Sequence, residues 1–189
     1  MEFSEYCFYL NEILNKVDQQ EIDNLIELII KSYSEERMIF VIGNGGSAAN
    51  ASHFAQDLAK GTRNHLNQAK RIKALSLTDS IPFITALSND DGYDTIFEQQ
   101  LRTYAKSNDV LISISGSGNS PNIIKAVEWA NLAGMITVGI SGFNGGKLKE
   151  LVKYSLHIPL DDMCTSESIH SVVLHYVIIE LQKKIKTAP

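Results

Sequence analysis

The stretch from Asp109 to Ala130 constrains the fold more than any other part of the sequence. Val110–Ile114 is a short, mostly apolar run that is typical of a buried central strand. A loop of serine, glycine and asparagine follows at 115–120, and Pro121 then opens a segment with apolar residues at helical spacing. Proline is favoured at a first helical position because it has no N–H that would need a partner there. The stretch therefore predicts a strand, a loop and a helix.

The loop at 115–120, which we call the serine loop, also suggests a ligand. Its backbone N–H groups and three hydroxyls would lie at the positive end of a helix dipole, which suits a phosphate. The alternative is a plain turn that only joins the strand to the helix. The chemistry of the loop favours phosphate.

A second unit of the same kind stands earlier in the chain. The apolar run Met38–Ile42 leads into glycines at 43–47, the first glycine loop, and a helix is expected from about Ala48 to Lys60. This loop has neither the Lys-Ser/Thr of a P-loop nor the G-x-G-x-x-G of a dinucleotide-binding fold, so it does not indicate a nucleotide. A third glycine loop, at 141–146, follows the apolar run Met135–Ile140.

Strands that alternate with helices predict a parallel sheet covered by helices. We expect a single domain over 1–189, in which 1–36 forms an N-terminal helical segment for packing or oligomerisation. Ligands of such sheets bind beyond the carboxyl ends of the strands, where the strand order reverses, so the loops after Ile42 and Ile114 are the predicted site. The remaining expected elements are helices at 5–14, 22–33, 95–104 and 165–184, strands at 72–77 and 154–160, and a polar, turn-rich segment at 86–94.

Composition excludes several classes of protein. The formal net charge of -5 comes without a basic stripe, so no nucleic-acid partner is expected. Cys7 and Cys164 form neither a metal-type pair nor a disulfide framework. Because the sequence lacks a secretory pattern at its start and any apolar run long enough for a membrane helix, we expect no membrane partner and a cytoplasmic location.

Two helices carry residues that are able to do chemistry. His53 and Asp57 are four residues apart and therefore share a helix face, either as half of a metal site or as a surface ion pair. Glu167 and His175 share a face of the last helix, and His170 lies near Glu167. Because the run at 171–179 is mostly apolar, its histidine, His175, is either a ligand or a core residue. Two histidines and two carboxylates from two helices would make a plausible four-ligand zinc set, although spacing alone does not bring the helices together.

Four segments taken together, at 43–58, 86–97, 109–126 and 167–178, resemble the sugar isomerase (SIS) domain and, within it, the phosphoheptose isomerases. The resemblance extends from about residue 20 to about residue 181, with the motifs in the same order. It implies a three-layer α/β/α sandwich with a parallel five-stranded sheet, and a homotetramer with active sites at subunit interfaces. It also implies conversion of sedoheptulose 7-phosphate to a heptose 7-phosphate through an enediolate, on the route to nucleotide-activated heptoses of lipopolysaccharide or capsule.

The resemblance also implies roles for individual residues. Asp57 would be the carbon base and His175 the acid/base that moves protons between the oxygens. A zinc ion, the implied cofactor, would be held by His53, Asp57, Glu167 and His175. The phosphorylated sugar would contact Asn44, Gly45, Ser47, Asp90, Ser115, Gly116, Ser117, Ser120 and Glu167.

The sequence departs from the family pattern at four places. Asp57 stands where the family usually has a glutamate, and Glu167 where it usually has a glutamine. The family's arginine is out of register, with Arg63 two residues beyond its expected position, and Cys164 replaces an aspartate. Two alternatives therefore stay open: an isomerase of another sugar phosphate, and a non-catalytic SIS protein that binds the bacterial replication initiator.

Overall fold

The computed structural model describes residues 1–187 and shows a three-layer α/β/α sandwich around one parallel sheet. Its strand order is β2-β1-β3-β4-β5, and each neighbouring pair is parallel. This confirms the predicted fold class. Residues 188 and 189, the end of the expected domain, lie outside the described residues. The strands are β1 (Met38–Gly43), β2 (Lys73–Ser76), β3 (Val110–Ser115), β4 (Ile136–Ser141) and β5 (Tyr154–His157).

Helices cover both faces of the sheet, and most begin close to where the sequence predicts. None of the helices within residues 1–187 is long and apolar enough to cross a bilayer. The α-helices are α1 (Phe3–Leu14), α2 (Gln19–Ser34), α3 (Gly46–Gln56), α4 (Ile81–Asp90), α5 (Ile96–Tyr104), α6 (Pro121–Leu132), α7 (Gly146–Leu151) and α8 (Met163–Thr187).

The prediction of a turn-rich segment at 86–94 is wrong for the first half of that segment. Helix α4 continues to Asp90, and a 3₁₀ turn follows at Tyr93–Thr95. Ile84 and Leu87 of α4 pack on the core, while the polar residues that suggested turns lie on the outer side of the same helix. The segment is polar because it forms the exposed side of an amphipathic helix whose apolar stripe is short.

The sheet is buried on both sides because its strands alternate between two cores. In β1, Ile39 and Val41 face the core formed with α2, α3 and α8, whereas Phe40 and Ile42 face the core formed with α5 and α6. A strand covered on both faces needs apolar residues at nearly every position, which explains the unbroken runs in the sequence. Helix α2 contributes fully buried residues such as Ile29 to the first core.

The sheet topology fixes where a ligand can bind. The chain leaves β1 to one side toward β2 and returns on the other side as β3, so the order reverses between β1 and β3. The loops after these two strands diverge there and leave a crevice, which is the usual ligand site of such sheets. The serine loop and the first glycine loop follow the two strands on either side of this point.

Candidate functional site

A cavity of about 260 Å³ opens at the carboxyl ends of β1 and β3. We call it the loop cavity. It brings together most of the residues that the sequence predicts for sugar-phosphate binding. Its lining comprises Asn44, Gly45, Ser47, Ile114, Ser115, Gly116, Ser117, Ser120, Met163 and Glu167.

Bonds within and behind the serine loop hold its shape. The backbone N–H of Gly118 donates to Ser115 Oγ over 3.2 Å, and Gly118 itself adopts a positive φ of 66°. The carbonyl oxygens of Gly116 and Gly118 accept from the backbone N–H groups of Gly142 (2.8 Å) and Leu148 (2.9 Å). A Cβ on Gly118 would overlap the Gly145 carbonyl, so this close approach requires glycine. The third glycine loop, through Gly142, and helix α7, through Leu148, therefore support the serine loop and occupy two of its carbonyls.

Helices α3 and α6 both begin at the loop cavity. Helix α3 follows Gly45 and α6 follows Ser120, and neither of these two residues makes a side-chain cap to its helix. The first N–H groups of an α-helix have no intrahelical partner and carry the positive end of the dipole. Together with the hydroxyls of Ser47 and Ser120, they form a site suited to an anion such as phosphate.

Glu167 of α8 lies against the first turn of α3. A Cβ on Gly46 would overlap the Glu167 carboxylate, so a side chain there would displace the carboxylate from this contact. Asn50 Nδ2 also donates to the Glu167 carbonyl over 3.0 Å and joins α3 to α8. Glu167 thus lines the loop cavity together with the serine loop.

Farther along the same two helices, His53, Asp57 and His175 form a second group, the His–Asp group. The Nε2 atoms of His53 and His175 lie 3.3 and 3.8 Å from Asp57 Oδ2, and the two rings meet edge to face at 4.9 Å between centroids. Both histidine side chains are 51% exposed, and Asp57 is 20% exposed. The structure therefore brings together, within one chain, the two helices that the sequence could not place.

The backbone around Asp57 departs from the expected regular helix. Helix α3 ends at Gln56, and Asp57–Gly61 is a π-helical turn. Such turns widen the helix and occur frequently at functional sites. Gln182 of α8 donates from Nε2 to the Gly61 carbonyl over 2.9 Å, so α8 stabilises the turn that presents Asp57.

Glu167 and Asp90 lie apart from the His–Asp group. Glu167 is eight residues from His175, which corresponds to about 12 Å along α8 at about 1.5 Å per residue, and it is not one of the three residues whose ligand atoms cluster. Asp90 is an exposed residue at the end of α4, where it accepts from Asn89 Nδ2. It does not line the loop cavity.

His170 is a core residue, whereas His175, for which the sequence left a core position open, has a half-exposed side chain. His170 is fully buried, and neither ring nitrogen makes a hydrogen bond of good geometry within the described residues. Burial lowers the pKa of His170 from 6.5 to about 4, and the nearby Ser141 backbone only partly opposes the shift. The imidazole is therefore neutral near pH 7.

Two residues beside the site escaped the sequence analysis. Asn122, the second residue of α6, exchanges hydrogen bonds with Asn44, and Tyr93 donates from its hydroxyl to the same side chain. Because Asn122 follows the serine loop almost directly, its position in the sequence could have indicated that it lies beside the site. Nothing in the sequence places Tyr93 there, because the contact depends on how the turn after α4 folds back.

Comparison with known proteins agrees with the fold. A model of the SIS domain matches residues 5–142. The phosphoheptose isomerase of Helicobacter pylori is 38% identical over 157 residues, which is 83% of this chain and 80% of that protein. A structure of phosphoheptose isomerase from Neisseria gonorrhoeae superposes with a TM-score of 0.86 at 29% identity, over 96% of this chain and 95% of the other. The corresponding structure from Francisella tularensis also gives 0.86, at 25% identity over the same fractions.

Proposed function

The chain belongs to the SIS-domain family and, within it, to the phosphoheptose isomerases, and we propose that it converts sedoheptulose 7-phosphate to a heptose 7-phosphate. One observation carries the assignment to particular residues. Helices α3 and α8 border the loop cavity near Gly46 and Glu167, and farther along the same helices they carry the His–Asp group. A phosphate site and a proton-transfer group thus share one pair of helices.

The phosphate belongs at the serine loop. Ser115, Ser117 and Ser120 supply hydroxyls there, and the starts of α3 and α6 supply N–H groups. Binding energy from this remote group is available to hold the reacting carbons in place. Glu167 and Asn44 then face the sugar chain between the phosphate and the carbons that react.

The reaction needs a base at carbon and an acid/base at oxygen. Asp57 removes a proton from C1 of the ketose, and the C1–H electron pair forms the double bond of an enediolate while the C2 carbonyl oxygen gains charge. His175 protonates that oxygen and takes the proton from the C1 hydroxyl. Return of the carbon proton to C2 leaves an aldehyde at C1, so that no atom is gained or lost.

The His–Asp group also fits a zinc ion. One ligand atom from each of His53, Asp57 and His175 lies within 4.8 Å of the other two, and two imidazoles with a carboxylate are a donor set that zinc adopts in enzymes. These three residues would hold the ion, whereas Glu167, which the resemblance implies as a fourth ligand, lies outside their cluster in the single chain. Zinc bound there would polarise the carbonyl and hydroxyl oxygens of the sugar.

We further propose a cytoplasmic homotetramer that has active sites at subunit interfaces and takes part in lipopolysaccharide or capsule synthesis. Exposed apolar side chains on α1 and α8 support the association: Phe3, Phe8, Val172, Tyr176 and Ile179. The same helices include part of the N-terminal segment 1–36, which we propose serves packing and oligomerisation. The exposed histidines of the His–Asp group are accessible to a neighbouring subunit.

Incubation of the protein with ¹³C-labelled sedoheptulose 7-phosphate tests the function directly. We expect the C2 ketone signal to decline while an aldose C1 signal appears in NMR spectra. Zinc-loaded protein without turnover of this ketose would instead favour an isomerase of another sugar phosphate. Inactive, metal-free protein that binds the replication initiator would favour the non-catalytic alternative.

A further inference from the structure

The orientation of the Asn122 side chain is set by the backbone. Asn122 is 1% exposed, and its Oδ1 lies 3.0 Å from the backbone nitrogen of Ile123, whose N–H also faces the Ser120 carbonyl at 3.0 Å. A backbone N–H can only donate, so the amide atom that faces it must be the oxygen. The nitrogen and oxygen of the Asn122 amide are therefore not interchangeable.

Asn122 in turn fixes the amide of Asn44. Asn122 Nδ2 donates to Asn44 Oδ1 over 2.9 Å, and Asn44 Nδ2 donates to Asn122 Oδ1 over 2.9 Å. Turning either amide over would set oxygen against oxygen and nitrogen against nitrogen. Because the first amide is fixed, the second has only one favourable orientation.

Tyr93 completes the arrangement from the other side. Its hydroxyl lies 2.9 Å from Asn44 Oδ1, and since that oxygen only accepts, Tyr93 must supply the proton. Gly92, at a φ of 96°, precedes Tyr93 and turns the chain toward the first glycine loop. An oxygen that already accepts from Asn122 therefore uses its second lone pair for the tyrosine.

One donor of Asn44 remains after these bonds. The amide has two N–H donors and two acceptor positions, of which both acceptors and one donor are used; within residues 1–187 the other N–H has no hydrogen-bond partner. Asn44 lines the loop cavity. We infer that Asn122 and Tyr93 are positioning residues that fix the Asn44 amide so that its remaining N–H binds an acceptor oxygen of the sugar chain. This inference rests on the proposed sugar-phosphate function.

The substitution Tyr93→Phe tests the inference because it removes only the hydroxyl of an exposed side chain. Loss of the Tyr93–Asn44 hydrogen bond should weaken binding of sedoheptulose 7-phosphate by about 3- to 10-fold, which corresponds to the net contribution of one hydrogen bond. Titration calorimetry should show nearly unchanged binding of inorganic phosphate, which uses the serine loop and the starts of α3 and α6 but not the Asn44 amide. KM should rise while kcat stays close to that of the unaltered protein, because the contact is made equally in ground and transition states. Tyr104→Phe, at an exposed tyrosine of α5, is the matched control and should bind both ligands normally.

A double-mutant cycle separates positioning from a general structural effect. If Tyr93 acts through Asn44, Tyr93→Phe should add no further loss in an Asn44→Ala background. The inference would be overturned if the losses in affinity from the two substitutions multiplied in the double variant. Normal sugar-phosphate binding by Tyr93→Phe would also overturn it.

The same measurements distinguish this inference from the proposed function. Unaltered protein that binds the ketose phosphate without isomerising it would contradict the function alone, and the dissociation constants would still decide the role of Tyr93. Normal turnover with no effect of Tyr93→Phe would contradict the inference alone. Unaltered protein that binds no sedoheptulose 7-phosphate would contradict both.

Discussion

Asp57 meets both histidines of the His–Asp group through one carboxylate oxygen, Oδ2. This residue is also where the chain differs from its family, which usually has the longer glutamate. The π-helical turn at Asp57–Gly61 changes the direction of the side chain relative to a regular α-helix. The π-helical turn and the short side chain together set where Asp57 Oδ2 lies.

Asp57→Glu tests how well the shorter side chain is placed. We expect turnover of sedoheptulose 7-phosphate to be retained or improved, since the substituted side chain restores the residue usual in the family. Steady-state kinetics would measure this, with Asp23→Glu at an exposed position of α2 as the control. A loss of about 100-fold, the size expected from a misplacement of about 1 Å, would show instead that the site is built for aspartate.

His175→Ala should abolish turnover while leaving binding of inorganic phosphate almost unchanged. The imidazole lies next to Asp57 rather than at the serine loop, so its loss removes proton transfer but not phosphate binding. Turnover assays and calorimetry on the same sample separate the two effects. His65→Ala, at an exposed histidine outside the site, should behave as the unaltered protein, and normal turnover of His175→Ala would exclude this histidine as the acid/base.

His170 predicts a pH dependence of stability. Its pKa is about 4 in the folded protein and about 6.5 when unfolded, so between these values the unfolded state binds more protons. The free energy of unfolding should therefore fall as the pH drops from about 6.5 toward 4, by at most about 1.4 kcal/mol per pH unit from this residue. Urea unfolding at several pH values measures the slope. His170→Leu should flatten it, whereas His65→Leu should not, and equal slopes in both variants would contradict the assignment.

At the scale of elements, the site depends on loops that support each other. The serine loop supplies the hydroxyls, and its carbonyls accept from Gly142 of the third glycine loop and from Leu148 of α7. Helices α3 and α6 then place their N-termini at the same cavity. Removing hydroxyls should therefore affect the ligand more than the fold.

Ser115→Ala combined with Ser120→Ala should weaken binding of sugar phosphate and inorganic phosphate by about 10-fold or more, since hydrogen bonds to charged groups contribute about 1.5–3 kcal/mol each. Calorimetry would measure the affinities, and thermal unfolding should show a much smaller change. The pair Ser34→Ala and Ser107→Ala, at exposed positions, is the control. Unchanged phosphate affinity would place the phosphate elsewhere.

The elements differ in how well the sequence predicts them. The central strands β1, β3 and β4 were found because burial on both faces demands largely apolar runs. The loops after Ile42 and Ile114 were found because glycines and serines stand where those runs stop. The start of helix α4 carries a helix-start signal at 78–82, but its continuation to Asp90 was missed because the apolar stripe is short. The π-helical turn at Asp57 was missed because it depends on packing against α8, including the bond from Gln182. The pairing of Asn44 with Asn122 spans 78 residues, and no local pattern reports it.

At the scale of the whole molecule, apolar side chains that one chain leaves exposed suggest association. A groove between α1, α2 and α8 is lined by Leu14, Val17, Ile22, Val172 and Tyr176. Ile179 lies exposed farther along α8. Monomeric proteins rarely expose continuous apolar patches of this kind without a function for them.

Ile179→Asp should dissociate the proposed tetramer because it places a charge on the apolar surface. Ile179 is exposed in the single chain, so the substitution should leave the hydrophobic core intact. Light scattering coupled to gel filtration would report the mass, with Leu132→Asp, an exposed leucine of α6, as the control. Activity should fall together with the mass if the active sites lie between subunits. An unaltered mass for Ile179→Asp would exclude this part of α8 from the interface.

The most direct test is a crystal structure of the protein with bound sedoheptulose 7-phosphate. We expect the phosphate on the serine loop at 115–120 and the C1–C2 end of the sugar within hydrogen-bond reach of Asp57 and His175, from the same chain or a neighbouring subunit. A phosphate bound away from the serine loop, or reacting carbons remote from every His–Asp group of the assembly, would contradict the account.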